Sequence, residues 1–567
     1  MWAIPPLVVR HTRPISTFYS ELVALSLFAG LSLLVWITVS RVRSAPDVAI
    51  ALSIPLGFIS VLFVQLALQE STQQMIMFIA IAYGLCSAMA IQIGYRISKI
   101  GLTDAALGAL ARAAILVGTI SVVIALLQAF RLEHYFLGWV AVYEVQQARR
   151  LFANMFQPNH LATVLSIGMA ACGYLFAGQA IRAPIYCLIL AGLAIGASFT
   201  GSRMSWLQVA LIVTANYFLF DNKRGAYYSK AVAKYWLMVL LPMVAMLFGA
   251  FIVSTMDTLL QLQLSGSVSR LGGEQQLGGR TAIWSYAWRM LLEQPLLGVG
   301  WGEFSNSQYR LADTMGPVEA ADNAHNLILD VLAKTGLLGC ALILVPLFAW
   351  LVRVVQALMA RKPCQQSVFA LTVLGVIAIH ALLEYPQAYA YFLLPACLLI
   401  GIMEPGGRVL FSRSMACLIG AACSCLLVVG IIFSAADYRR AESFYEVNGP
   451  LRYASHPAFI FGEWARYGLT GLLELNTELI EYKIALHEYA LAIWPKAEYI
   501  RRYAILLAMA GQQEGALLQA KRLASLSLGA AKGEYRLLLG MCDERDAAQR
   551  EFKARLITAF GTPEQVD

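Results

Sequence analysis

Four short polar clusters in this sequence sit beside long apolar runs. The first is Phe156-Gln157-Pro158-Asn159-His160, where the proline breaks the chain and the polar side chains open the next run. Gly201-Ser202-Arg203 is a tight turn that delivers one arginine, and Gly278-Gly279-Arg280-Thr281 precedes Trp284 and Trp288 on one helical face. The fourth, Asp322-Asn323-Ala324-His325-Asn326, leads into a helix and is expected to face His380-Ala-Leu-Leu-Glu384-Tyr385-Pro386 at the end of another apolar run. Arginine suits a diphosphate, because a planar guanidinium gives bidentate hydrogen bonds and keeps its charge. Arg203 and Arg280 are the candidates for that role, and binding of lipid phosphate or a loop carbonyl is the alternative for each. A neutral imidazole can take a proton from a hydroxyl as it attacks, which activates a weak nucleophile. His325, beside Asp322 and two asparagines, most resembles such a base; a capping or interface histidine is the other reading. His380 and Glu384, four residues apart, share a face if their helix continues that far, where they would orient a ligand or brace the bundle; bracing is the favoured reading, with Glu384 and Tyr385 near the site.

The elements that position these clusters are apolar helices. Hydrophobic residues make up 59% of the 567-residue chain and charged residues 13%, far from the roughly 45–50% apolar content of soluble domains. Twelve apolar runs can each cross a hydrocarbon core of about 30 Å. They fall near 21–40, 48–68, 75–95, 107–130, 159–177, 181–198, 203–220, 235–256, 337–358, 366–383, 389–403 and 413–433. Residues 434–567 hold 16 Lys and Arg against 17 Asp and Glu, so the net charge of +8 belongs to residues 1–433. There the basic residues cluster in alternate short connections: Lys223, Arg224, Lys230 and Lys234 in 221–234, then Arg41 with Arg43, Arg96 with Lys99, Arg361 with Lys362, and Arg408 with Arg413. Such a bias marks cytoplasmic loops. Parity then puts 131–158, 257–325, 384–388 and everything after 434 outside, in the periplasm of a Gram-negative cell. It also puts Arg10 and Arg13 on the side the rule disfavours, which a lost or misassigned first helix would explain.

The expected division is a transmembrane domain over 1–433, with a large outer loop at 257–325 that turns helical at Thr281–Leu292, and a soluble helical domain over 434–567. Within the tail, Ala490–Leu526 places a proline after one helix, then a second helix, a turn at Gly511 and a third helix. That pattern suits a tetratricopeptide-like unit or plain helical hairpins, and either surface suits protein contact. Residues 131–150 read as a smaller outer segment, with Tyr135, Phe136, Trp139 and Tyr143 as interface anchors among Arg131, Glu133 and Arg149. The ten cysteines suggest no disulfide or zinc framework. Metal-hydrolysis, redox and nucleotide motifs lack support, so no metal and no cofactor is expected.

Taken as a set, QPNHLA at 157–162, GSR at 201–203, GGRTAIW at 278–284, PLLGVGWGEF at 295–304, NAHNLILDVLAKTGLLG at 323–339 and HALLEYPQAYAYFLLP at 380–395 resemble the bacterial protein O-oligosaccharyltransferases. These PglL-type enzymes belong with the O-antigen ligases and polymerases. The resemblance implies an all-α polytopic, GT-C-like membrane glycosyltransferase of the bacterial inner membrane, using an undecaprenyl-diphosphate-linked oligosaccharide on the periplasmic face without a metal. Its acceptor would be Ser or Thr of a pilin or another periplasmic protein. By the same resemblance His325 is the essential histidine, Arg203 and Arg280 hold the diphosphate, and Gln157 and Tyr385 line the glycan or acceptor path. Asn159, His160, Asp322, Asn326 and Glu384 join these last two as candidate glycan- or acceptor-binding residues. The family's segment like RPISTFYSE at 13–21 normally follows an extra first helix, which suggests a shortened N-terminus here. The rival readings are an O-antigen ligase acting on lipid A core, an O-antigen polymerase, and a transporter of the lipid-linked sugar. Against the transporter, the polar clusters gather at one membrane face.

Overall fold

Leu, Ile, Val, Ala and Phe in unbroken runs leave a backbone only one way to satisfy its polar groups in lipid, within a helix, and helices account for nearly every element. The computed structural model describes residues 2–41, 47–144, 149–220, 232–265, 275–360 and 364–562. Arg43, Lys223, Arg224, Lys230, Arg361 and Lys362, which carry much of the charge bias, lie outside them, as does part of the 257–325 segment. The helices of the apolar part are α1 (Phe18–Arg41), α2 (Ser53–Leu68), α3 (Gln74–Lys99), α4 (Thr103–Ala129), α5 (Pro158–Ala177), α6 (Ala183–Phe199), α7 (Met204–Phe220) and α8 (Val232–Leu260). After α9 (Gln275–Glu293) and α10 (Phe304–Met315) come α11 (Leu327–Ala360), α12 (Gln365–Ala381), α13 (Ala390–Met403) and α14 (Arg413–Ser443). The tail is α15 (Gly449–Ser455), α16 (Gly462–Leu472), α17 (Ile480–Ile493), α18 (Ala497–Met509), α19 (Gln513–Leu526), α20 (Ala531–Met541) and α21 (Ala547–Phe560). Two three-residue strands, β1 (Asp47–Ala49) and β2 (Gly407–Val409), form the one antiparallel ribbon among the described residues.

Among the described residues eight helices are long and apolar enough to cross a membrane: α1, α2 with its preceding turn, α3, α4, α5, α8, α11 and α14. The other four expected spans coincide with the shorter apolar helices α6, α7, α12 and α13. A 17-residue helix reaches about 25 Å at 1.5 Å per residue, less than a hydrocarbon core. A Pro near the start of α6 and polar turns at the ends of the others set that length. Among the described residues there are thus twelve apolar helices, of which eight meet the length of a full span.

The chain divides into two compact units, with boundaries inside α2, α3, α11 and α14. The first comprises residues 1–56, 83–273 and 345–432. Its centre is α5, whose most apolar 18-residue window is 94% buried, with α4, α6, α7 and α12 packed on it. A helix apolar on every side belongs in such a position. Glycines let neighbouring helices touch backbone to backbone: a Cβ on Gly94 of α3 would land on the Leu398 carbonyl of α13, and one on Gly401 of α13 on the Ile91 carbonyl of α3. The expected interface segment is partly so used. Tyr135 and Trp139 are 82% and 81% exposed, but Arg149 is 1% exposed and donates to the carbonyls of Gln128, Ala129 and Leu262. It ties the chain to the end of α4 instead of anchoring it at a surface.

The second unit comprises residues 57–82, 274–344 and 433–567, so the tail shares a unit with the long segment before α11. One core joins Ile283, Tyr286 and Met290 of α9, Phe304 and Tyr309 of α10, Ile500 and Leu507 of α18, and Leu523 of α19. Within the tail, α18 and α19 form the expected hairpin, with Gly511 in the left-handed region at φ 78°. His487 of α17 is fully buried, and its Nδ1–H donates to the Lys483 carbonyl at 2.7 Å. Burial lowers its pKa to about 4.

Two outcomes follow. Gly401→Ala should lower the melting temperature of the detergent-solubilised protein by several degrees, whereas Gly192→Ala in α6, whose Cβ would meet open space, should leave it level or slightly higher. Because an unfolded histidine titrates near 6.5, the unfolded tail takes up a proton that the folded tail refuses, so stability is lost as pH falls from about 6.5 toward 4. Hydrogen-exchange protection of α17, corrected for the intrinsic amide rate at each pH, should fall over that window in the wild type and less so in His487→Phe.

Candidate active site

In the first unit, local chain geometry opens α5 at the predicted cluster. Phe156 takes φ 55°, which turns the chain, and Gln157 caps α5 by accepting from the Asn159 amide, with Pro158 in the first turn, where its missing N–H costs nothing. Asn159 is 9% exposed and is the junction of this cluster. Its Oδ1 accepts from Arg150 Nη2 at 3.0 Å and from Ser202 Oγ at 2.8 Å, while its Nδ2 donates to Glu384 Oε1 at 3.0 Å. One turn along α5, Thr163 Oγ1 lies 2.9 Å from His380 Nδ1 and accepts from Gln208 Nε2 at 3.0 Å. The Thr163 hydroxyl has two acceptor lone pairs and one proton, so the His380 tautomer sets which of the two groups donates in their bond. The ends of α12 and α5 are thus joined by two bonds four residues apart, Asn159 to Glu384 and Thr163 to His380. That is the brace expected of His380 and Glu384, although α12 ends at Ala381 and Glu384 lies beyond it.

His160 is buried, with Nδ1 at 2.7 Å from the Tyr391 hydroxyl and its ring packed edge-on to Tyr389, Phe392 and His380. Such a histidine supports the bundle from inside. Tyr385, half-buried, stacks over Tyr389. The Gly201 turn has φ 58° and leaves no room for a Cβ against the Ser265 carbonyl, which fixes the point where Arg203 enters α7. Arg150 is the residue of this cluster that the sequence reading missed. Besides Asn159 it holds the Thr200 carbonyl at 3.1 Å, so it joins the α5 start to the Gly201-Ser202-Arg203 turn. Its one sequence signal was a second arginine directly after Arg149.

In the second unit, the Asp322–Asn326 loop is held from several sides. His325 adopts φ 49°, uncommon for a residue with a Cβ. Its amide donates to Asn323 Oδ1 at 2.9 Å, and the amide of Ala324 donates to Asp330 Oδ1 at 3.0 Å. The Ala324 carbonyl accepts Trp284 Nε1–H at 3.0 Å, which ties the loop to α9 one turn after Arg280. Asn326 caps α11 by accepting from Ile328 and Leu329. Asp330 also pairs with Lys334, four residues on, at 3.1 Å, and the Lys334 ammonium lies over Trp301. Asp330 and Lys334 are a second omission of the sequence reading, legible as the i, i+4 spacing within NAHNLILDVLAK. Behind them Gly336, φ 62°, interrupts α11 against Leu296 and Gly298. The loop therefore presents a half-buried His325 and an exposed Asp322 on a rigid frame.

The sites thus distribute as Gln157, Asn159, His160, Arg203, Glu384 and Tyr385 in the first unit and Arg280, Asp322, His325 and Asn326 in the second. Chemically, the first supplies buried amide, carboxylate and guanidinium groups around the start of α5. The second supplies an accessible imidazole in a strained, fixed loop.

Comparison with known proteins covers both sets. Residues 151–176 match a protein glycosylation ligase family, 185–344 an O-antigen ligase family, and 368–526 the C-terminal part of a virulence factor membrane-bound polymerase family. The chain is 26% identical over 479 residues, 84% of its length and 80% of the relative's, to the general O-oligosaccharyltransferase of Acinetobacter baylyi. It is 25% identical over 403 residues, 69% of its length and 67% of the relative's, to the ComP-specific O-oligosaccharyltransferase of the same organism.

Asn159→Ala would remove one hydrogen bond each from buried Ser202 and Glu384 and from half-buried Arg150, at about 1–3 kcal/mol for each buried group left unsatisfied, and should lower the melting temperature by several degrees. Asn159→Asp should do so through repulsion with Glu384. Adding Glu384→Gln to Asn159→Asp reverses the direction of that bond, so the double variant should melt closer to wild type than Asn159→Asp alone; equal melting of the two would mean the 3.0 Å contact contributes nothing.

Proposed function

We propose that the chain is a glycosyltransferase of the protein O-oligosaccharyltransferase type, a reading supported by its similarity to two such enzymes and to the O-antigen ligase and protein glycosylation ligase families, and that it transfers an oligosaccharide en bloc from undecaprenyl diphosphate to Ser or Thr of a pilin or another periplasmic protein. The observation that carries the assignment of its base is the His325 loop, in which a left-handed backbone is over-determined by Asn323, Asp330 and Trp284. Strain of this kind is kept where a side chain must be aimed. The acceptor hydroxyl oxygen attacks the anomeric carbon of the first sugar, the bond from that carbon to the diphosphate oxygen breaks, and the hydroxyl proton passes to the His325 imidazole. Configuration at the anomeric carbon inverts. Arg203 and Arg280 stabilise the charge that grows on the departing diphosphate, electrostatic help that often dominates catalysis. Asp322, Asn326, Gln157 and Tyr385 contact glycan or acceptor, and Asn159, His160 and Glu384 act there by holding the start of α5. Neither metal nor cofactor takes part in this scheme.

The proposed setting is the bacterial inner membrane, with twelve apolar helices crossing or entering it and the chemistry and tail on the periplasmic side. The basic bias of alternate connections supports that orientation. The O-antigen ligase and polymerase matches favour one second reading, in which the same donor is used on lipid A core or on another lipid-linked glycan.

The decisive assay combines purified enzyme, undecaprenyl-diphosphate oligosaccharide and periplasmic acceptor proteins, read by intact mass. Wild type should place glycan on Ser or Thr. His325→Ala should insert and melt like wild type yet lose transfer by about 10²–10⁴-fold, the usual contribution of a general base. A fully active His325→Ala enzyme would sink the assignment of the base, and transfer to lipid A core or lipid-linked glycan without protein product would select the second reading. Arg203→Ala and Arg280→Ala should each reduce turnover by about 10²–10³-fold, the scale of losing one charge-stabilising donor.

A further inference from the structure

Beyond the span α14 the chain makes an elbow that is built to return to the base of that helix. Asp437, buried one turn past Phe433, accepts three successive backbone amides, from Phe459 and Ile460 at 2.7 Å each and from Phe461 at 3.0 Å. Tyr438 packs edge-on to Phe461 and reinforces the return. Three large apolar side chains within this elbow stay in the open: Val447 is 84%, Leu451 80% and Phe459 85% exposed. Large apolar groups left exposed together mark an interaction surface.

The occupant follows from where the elbow is pinned. An α-helix needs about 20 residues to cross a hydrocarbon core, roughly 30 Å. Helix α14 has 31 residues, with its apolar segment ending at Phe433 and Ala436, so it spans the core and emerges from it. Asp437 lies four residues, about 6 Å, beyond Phe433, at the level of the lipid head groups. Its three bonds bring Phe459 back to that same level. Exposed Arg439, Arg440 and Arg452 accompany it, and basic side chains at this depth meet lipid phosphate. We propose that residues 447–459 form an interfacial membrane anchor, with Phe459, Leu451 and Val447 seated among lipid acyl chains and head groups, so that the tail is held to the bilayer at a second place beside α14. The inference needs only that α14 crosses a membrane, and stands apart from the glycosyl-transfer chemistry.

The test uses the full chain in phospholipid nanodiscs. Phe459→Cys and, separately, Glu544→Cys are introduced into a parent carrying Cys364→Ser and Cys425→Ser, and each is labelled with a polarity-sensitive nitrobenzoxadiazole dye, with the labelled parent as background. The dye at 459 should emit at shorter wavelength than at 544 and be bleached several-fold more slowly by aqueous dithionite, with no other protein added. Equal emission and bleaching at the two positions would overturn the anchor. A shift at 459 that arises only when an acceptor protein is added would also overturn it, because the surface would then be a protein-docking site. Phe459 is exposed, so its replacement leaves the packed core untouched; equal melting of labelled variant and parent checks this.

Discussion

A carboxamide enclosed by apolar helices must direct all its hydrogen-bonding capacity to protein partners, and Asn159 does so at the start of the central helix. Water does not compete for the site, so each bond is worth more than at a surface, and each missing partner costs more. The amide oxygen draws in Arg150 and Ser202, and the amide nitrogen draws in Glu384. Three separate stretches of chain are thereby fixed to one residue: the segment before α5, the turn before α7 and the end of α12. The turn that carries Arg203 has its position because of this junction. Thr163 and His380 repeat the connection one helical turn deeper, which keeps α12 from rotating against α5.

A different constraint governs the second unit. The His325 loop sits at the start of α11, and its rigidity comes from the Asn326 cap, from backbone hydrogen bonds to side chains and from the tail. Helix α10 packs on α17 and α19, where Tyr309 bonds Gln519 and Arg522 pairs with Asp313 at 3.2 Å. The Val318 amide donates to the Ser525 carbonyl at 2.8 Å, which fixes the stretch of chain leading into the loop. Gln308 then holds Ala321 at 2.8 Å, one residue before Asp322. The tail is therefore part of what positions the histidine segment, in addition to offering a surface of its own.

The sequence by itself determined the helical, membrane-embedded character of this protein, because long apolar runs permit only helices in lipid, and it located the polar clusters at 156–160, 201–203, 278–281, 322–326 and 380–386. It also determined local features that depend on near neighbours: the cap at Gln157, the turn at Gly201, the cap at Asn326 and the turn at Gly511. Only the tertiary structure decided which polar groups are buried supports and which remain accessible. His160 and Glu384, like His325, open or close apolar runs, but only the fold shows that they are buried against Tyr391 and Asn159, more than 200 residues away. Arg149 and Arg150 are adjacent, yet one binds carbonyls at the end of α4 and the other binds Asn159. Helix α10 was unread although its twelve residues are amphipathic, because they lie within a long segment read as a loop, and its role exists only through contact with α17 and α19. Hydrophobic pattern is a local property of the chain, whereas the burial and pairing of a polar side chain depend on distant segments that no window of sequence contains.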